Sequence, residues 1–203
     1  MHSKTIGASL SLALAGQLYA IPVANPLTID KTTDLNNYDV YEKDVDDGTL
    51  TVKNPTAAQI ITLDSQPSDN SPLNNIIVNS ATAADQTLKG NALTMNGGTL
   101  NSINVASSQQ DGTVFSENTL NLNGGELRKT HLVESNGRAT ATKNVLNLNG
   151  TMIYHGLSVV DINGGAANEN TLNINGTKGE RLTTTFTAAY LGNSGTADGN
   201  VLN

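Results

Sequence analysis

Residues Asn118-Thr-Leu-Asn-Leu-Asn-Gly-Gly125 decide how this chain folds. Leu120 and Leu122 alternate with Asn121 and Asn123. A period of two predicts a strand with one apolar face. The Asn-Gly-Gly that follows predicts a turn, because Gly reaches positive φ at no cost and Asn tolerates it. The segment recurs as Asn91-Ala-Leu-Thr-Met-Asn-Gly-Gly98, Asn144-Val-Leu-Asn-Leu-Asn-Gly-Thr151 and Asn170-Thr-Leu-Asn-Ile-Asn-Gly-Thr177, and begins again at Asn200-Val-Leu-Asn203. Its first Asn falls at 91, 118, 144, 170 and 200, giving spacings of 27, 26, 26 and 30. Three residues upstream of each stands an apolar residue: Leu88, Phe115, Ala141, Ala167 and Ala197.

Two further apolar patches follow within each unit. One is Leu100 with Ile103, then Leu127, then Met152-Ile153. The other is Leu132-Val133, then Val159-Val160 with Ile162, then Ala188-Ala189 with Leu191. Strand, turn, strand, turn, strand and loop in about 26 residues make one coil of a solenoid. A hairpin array would alternate between two phases, whereas this unit keeps one. Identical residues in register predict parallel strands about 4.8 Å apart. Asn96, Asn123, Asn149 and Asn175 should then stack as a side-chain amide ladder. Leu93, Leu120, Leu146 and Leu172 should stack inside, beside Met95, Leu122, Leu148 and Ile174. The expected fold is an all-β parallel β-helix.

Residues 88–203 form the regular repeats, incomplete at the C-terminus. Residues 21–87 repeat less clearly; Leu27/Ile29, Leu50/Val52, Ile61/Leu63 and Ile76/Val78 read as short strands of irregular early coils and an N-terminal cap. Solenoids need an atypical cap over the first rung. Residues 1–20 read as a secretory signal: Lys4 for the basic region, an apolar run from Ile6 to Leu18, and Ala20 at its end.

Composition agrees with thin stacked layers. Of the 203 residues, 3% are aromatic and 14% are charged, and Trp and Cys are absent. Without Cys there are no disulfides or thiolate sites. The net charge of −7 argues against a nucleic-acid partner, which demands clustered cations. The charge is uneven: Asp30 to Asp64 holds eight acids and three bases, whereas Glu126 to Asn203 holds six of each.

The Asn-x-Leu-Asn-ψ-Asn-Gly unit resembles the passenger repeats of autotransporters, the type V secretion proteins of Gram-negative bacteria. So does Gly-x-Ala-x-x-Asn, present as Gly165 to Asn170 and Gly195 to Asn200. The resemblance covers residues 88–203 and the signal. It implies a right-handed parallel β-helix displayed at the cell surface or outer membrane, or released, through a C-terminal translocator barrel. The chain departs from the pattern in stopping at Asn203 inside a strand. It is therefore expected to be a fragment, a truncated reading frame or a split gene product, and membrane association is expected only through the missing barrel.

Little in the sequence points to chemistry. Parallel β-helices also house glycan-cleaving enzymes, but those need clustered carboxylates. Here Glu126, Glu134, Asp161, Glu169, Glu180 and Asp198 stand apart along the chain. Asp44-Val-Asp-Asp-Gly48 lacks calcium-loop spacing and reads as a solvated turn. His131 and His155 lie 13 and 11 residues past their opening Asn, so they need not stack. No Ser-His-Asp triad can be assembled, and Tyr190 and Phe186 are too few for a stacking platform. The expectation is a non-catalytic adhesin-like or structural passenger with no cofactor or metal. Its expected partners are host-cell or matrix surfaces, or itself. The alternative is a passenger whose enzyme or toxin activity lies outside these residues, or a polysaccharide-degrading β-helix.

Overall fold

The computed structural model describes residues 24–43, 48–53, 57–69, 71–175, 185–192 and 194–203. The expected signal at 1–20, the acids Asp44, Asp46 and Asp47, and Glu180 lie outside them. The chain coils as a parallel β-helix of three sheets. The first sheet stacks Leu27–Ile29, Ile60–Leu63, Ala92–Met95, Thr119–Leu122, Val145–Leu148, Thr171–Ile174 and Val201–Leu202. The second stacks Tyr41–Lys43, Gly48–Thr51, Asn75–Ser80, Thr99–Ser108, Glu126–Ser135, Met152–Ile162 and Thr185–Thr187, with Tyr190–Leu191 also paired to Met152–Ile162. The third stacks Thr87–Lys89, Thr113–Ser116, Ala139–Thr142, Gly165–Asn168 and Gly195–Asp198.

Register follows the repeat. Leu120 pairs with Leu93 on one side and Leu146 on the other, and Leu146 pairs with Leu172. Leu122 sits likewise between Met95 and Leu148. All of these side chains are fully buried. Each contributes about 1.5–3 kcal/mol of apolar burial, so the core is a pile of thin aliphatic layers, with Phe115 buried among them and the half-buried Tyr38 and Tyr41 packed against it. The short early strands join the same stacks: Leu27 pairs with Ile61, and Leu50 with Ile76, which pairs with Ile103.

Tyr41–Lys43 runs antiparallel on Gly48–Thr51 and covers that edge of the second sheet. The short 3-10 helix Leu35–Asn37 buries Leu35, whose N–H is bonded by Ser71 Oγ at 3.1 Å. Among the described residues no helix is long and apolar enough to cross a membrane.

One expectation about the coil is corrected. The second and third apolar patches belong to a single long strand: Leu127 with Leu132-Val133 in Glu126–Ser135, and Ile153 with Val159-Val160 in Met152–Ile162. No turn residue interrupts the first of these, so nothing there stops the ladder. The remaining strand of each coil is the segment just before the opening Asn, such as Thr113–Ser116 and Ala139–Thr142. The residue between that strand and the Asn turns the corner with positive φ: Gly90 (69°), Glu117 (55°), Lys143 (57°), Glu169 (56°) and Gly199 (61°).

The Asn-Gly turn is fixed by close approach. A Cβ on Gly97, Gly124 or Gly150 would lie 2.6, 2.5 and 2.9 Å from the carbonyl oxygen of the coil below. Only Gly lets consecutive turns stack at this spacing.

Candidate functional site

Two kinds of repeated side-chain structure emerge from the fold. The first is amide columns. Asn123 donates Nδ2–H to Asn96 Oδ1 at 2.9 Å, Asn149 to Asn123 at 2.8 Å, and Asn175 to Asn149 at 2.8 Å. Asn96 in turn donates to Asp64 Oδ1 at 2.7 Å. This column is exposed. A parallel column on the first sheet runs Asn203 to Asn173 to Asn147 to Asn121, each bond 2.8 Å. In both columns the later residue donates to the earlier.

The opening Asn of each repeat builds a further column, buried from Asn91 to Asn170 and half-buried at Asn200. Asn91 donates to Asn118 Oδ1 (2.9 Å), Asn118 to Asn144 (2.9 Å), Asn144 to Asn170 (2.8 Å) and Asn170 to Asn200 (2.9 Å). Here the earlier residue donates to the later. The second Nδ2–H of Asn118, Asn144, Asn170 and Asn200 goes to the carbonyls of Leu88, Phe115, Ala141 and Ala167. These are the apolar residues three upstream of the preceding Asn. At the N-terminal end Gln59 takes the register position, and Asn79 supplies its amide to Asn91 Oδ1 at 2.9 Å. The buried column is structural.

The second feature is the outer face of the long strands. Met152–Ile162 carries one residue more than its neighbour here. Glu126 pairs with Met152, an offset of 26, and Thr130 with Leu157, an offset of 27. The extra residue is returned before Ala139 pairs with Gly165, again an offset of 26. The bulge places Tyr154 and His155 opposite Arg128. Such bulges re-aim side chains. Tyr154 is 46% exposed and donates its hydroxyl to Glu126 Oε2 at 3.2 Å. Desolvation, then the bond to Glu126, push its phenol above the ordinary range. A cavity of about 310 Å³ lies between Tyr154, His155, Arg128, Leu127, Asn101 and Thr99.

Farther along the same strands a second cavity of about 220 Å³ is lined by Lys129, His131, Gly156, Ser158, Asp161 and Tyr190, among others. Tyr190 is 57% exposed. His131 Nδ1 lies 2.6 Å from Ser158 Oγ and 3.2 Å from Asp161 Oδ2. Its Nε2 is buried without a partner. Burial lowers the His131 pKa, Lys129 lowers it further, and Glu134 and Asp161 oppose the shift.

Sequence spacing separates these residues, whereas the fold gathers them. Glu134 pairs with Asp161, so two carboxylates that stand apart along the chain become neighbours across the sheet. Ser158, His131 and Asp161 also meet, which sequence spacing does not reveal. They do not form a proton relay, because serine and carboxylate share one imidazole nitrogen, whereas a relay places them on opposite ones. His155 stays apart from His131, in the other cavity. Among the described residues no three His, Cys, Asp or Glu side chains group to hold a metal ion. Tyr154 gives no periodic signal, so the pairing of two exposed tyrosines on one face is legible only in the structure.

Comparison with protein-family models, with curated proteins and with solved structures finds no match for this chain.

Proposed function

We propose that this chain is an adhesin-like or structural β-helix of an exported protein, part of an autotransporter passenger, whose work is done by its surface and not by catalysis. The observation that supports this reading is the in-register repetition itself. The exposed amide column Asn96, Asn123, Asn149 and Asn175 repeats one donor-acceptor group per coil along a stiff rod. Rungs about 4.8 Å apart offer many weak polar contacts at fixed spacing, the arrangement that gains from avidity. The acidic early region opposes edge-to-edge association of the rods.

The test is adhesion at two valencies. The full chain is coupled to beads at high density and applied to epithelial cells, to matrix-coated surfaces and to beads carrying the same chain. Retention well above albumin beads, lost when soluble monomer is used at equal mass, is the expected result. Beads that bind none of the three surfaces would overturn the reading.

A further inference from the structure

We propose that the outer face of the long strands, with its two successive cavities, one beside Tyr154 and Arg128 and one beside Lys129 and Tyr190, binds an acidic glycan, with Arg128 and Lys129 taking its carboxylate or sulfate groups. The inference rests on the adhesin-like reading and names the partner's chemistry.

Three observations carry it. First, Arg128 and Lys129 are exposed and adjacent, and among the described residues neither has a carboxylate partner. Lys89 and Lys143, by contrast, are paired with Glu117 and Glu169. Two unpaired cations side by side on a chain of net charge −7 are complementary to an anionic ligand. Second, Tyr154 and Tyr190 are exposed on this one face, in a chain with five tyrosines and no Trp. A half-exposed phenol ring offers a flat apolar surface to the C–H face of a sugar and a hydroxyl to its oxygens. Third, the bulge at Tyr154-His155 interrupts an otherwise regular sheet and opens the cavity beside Arg128. The cavity beside Arg128 has no carboxylate in its lining, and its Asn101 and Thr99 can bond hydroxyls. The cavity beside Lys129 adds Ser158 and Thr187 for the same purpose and holds one carboxylate, Asp161, opposite that lysine's charge.

Length selects the ligand size. Tyr190 pairs with Asp161, which pairs with Glu134, so the two cavities together reach from the level of Arg128 to that of Glu134. Six residues of strand span roughly 20 Å. That is too long for one sugar ring and suits a short run of them.

The test uses the full chain on immobilised heparin, polygalacturonate and neutral dextran, with soluble polyglutamate as competitor. Binding to at least one acidic glycan, weakening with salt, with none to dextran, is expected. Losing two solvent-exposed ionic contacts should weaken binding about 5- to 30-fold in the double variant Arg128→Gln/Lys129→Gln. Tyr154→Ala should weaken it several-fold at unchanged salt dependence. Lys143→Gln removes a cation outside both cavities and should change nothing. All these side chains are exposed, and an unchanged β-type circular dichroism spectrum confirms that the variants fold.

The proposal is overturned by binding to neither acidic glycan, by full retention in the double variant, or by an equal loss in Lys143→Gln. Competition by polyglutamate as strong as by the free glycan would also overturn it, since charge alone would then suffice. Beads that adhere to cells without regard to Arg128 and Lys129 would sink this inference and leave the adhesin reading standing. Glycan binding without cell adhesion would do the reverse.

Discussion

Asn170 Oδ1 accepts two hydrogen bonds from Asn144, one from its side-chain Nδ2 at 2.8 Å and one from its backbone N–H at 3.1 Å. Both residues are fully buried. The same double bond links Asn118 to Asn144 and Asn91 to Asn118. One oxygen thus satisfies a backbone donor at the corner, where the sheet ladder is interrupted, and continues the column. A buried polar group is tolerated only when its partners are present, and here each Asn is both partner and beneficiary.

Replacing Asn144 should therefore be costly. Asn144→Leu keeps the forked outline with somewhat more bulk, and strands the N–H and Nδ2 of Asn118 and the carbonyl of Phe115. We expect a loss of about 3–5 kcal/mol, from several unsatisfied groups at about 1–3 kcal/mol each with partial relaxation. Urea unfolding followed by circular dichroism measures it. A loss below 1 kcal/mol would mean that the buried column adds little to stability.

The exposed column should behave differently. Asn123→Ala breaks bonds to Asn96 and from Asn149. Water replaces both, so the expected cost is about 0.5–1 kcal/mol. The contrast between Asn123→Ala and Asn144→Leu in one unfolding series separates burial from hydrogen bonding as the source of the effect.

His131 should make stability depend on pH. Its cation is disfavoured in the fold, chiefly by burial, so its folded pKa lies below the unfolded value of about 6.5. The unfolded chain then binds more protons, and stability rises with pH in this window. The contribution is present above about pH 6.5 and is lost as pH falls toward the lowered folded value. His131→Gln should flatten the urea midpoint between pH 7.5 and about 5.5, above the range in which ordinary carboxylates titrate. An unchanged slope in the variant would place the pH dependence elsewhere.

The corner residue offers a backbone test. Lys143 holds φ at 57°, a conformation costing an L-residue about 1–2 kcal/mol. Lys143→Val adds a branched Cβ there and should destabilise by about 1–2 kcal/mol further. Lys143→Gly removes the strain but loosens the unfolded chain, so it should fall within about 1 kcal/mol of the parent. If Val and Gly prove equivalent in thermal unfolding, the corner is not held in the left-handed region.

Much of the coil is legible in the residues themselves. Period-two alternation at Leu120 and Leu122 sets one strand, and the constant spacing sets parallel register. The buried column was within reach too: Asn91, Leu93 and Met95 share one parity, so an opening Asn falls on the inner face of its strand. The long second strand was harder to see, because Thr130 to Val133 are consecutive buried residues with no alternation. The third strand is built from Ala139, Ala141 and Ala167 in later coils, and alanine carries weak strand preference. The bulge at Tyr154 left no trace in the spacing, since the residue gained at Ile153 to Gly156 is returned before Gly165. A compensated insertion conserves the period while moving every side chain between its ends.

The opposite donor directions of the amide columns have a consequence for assembly order. In the exposed column a newly formed turn finds its acceptor already waiting in the coil beneath. In the buried column a residue such as Asn144 finds the Phe115 carbonyl for one Nδ2–H, but its backbone N–H and its other Nδ2–H have no acceptor until the following coil delivers Asn170. Each coil is thus finished by its successor, and the outermost coil of a growing stack is always the incomplete one. Growth from the N-terminal side accordingly leaves a single unfinished layer at the advancing front, which acquires its full protection one coil late.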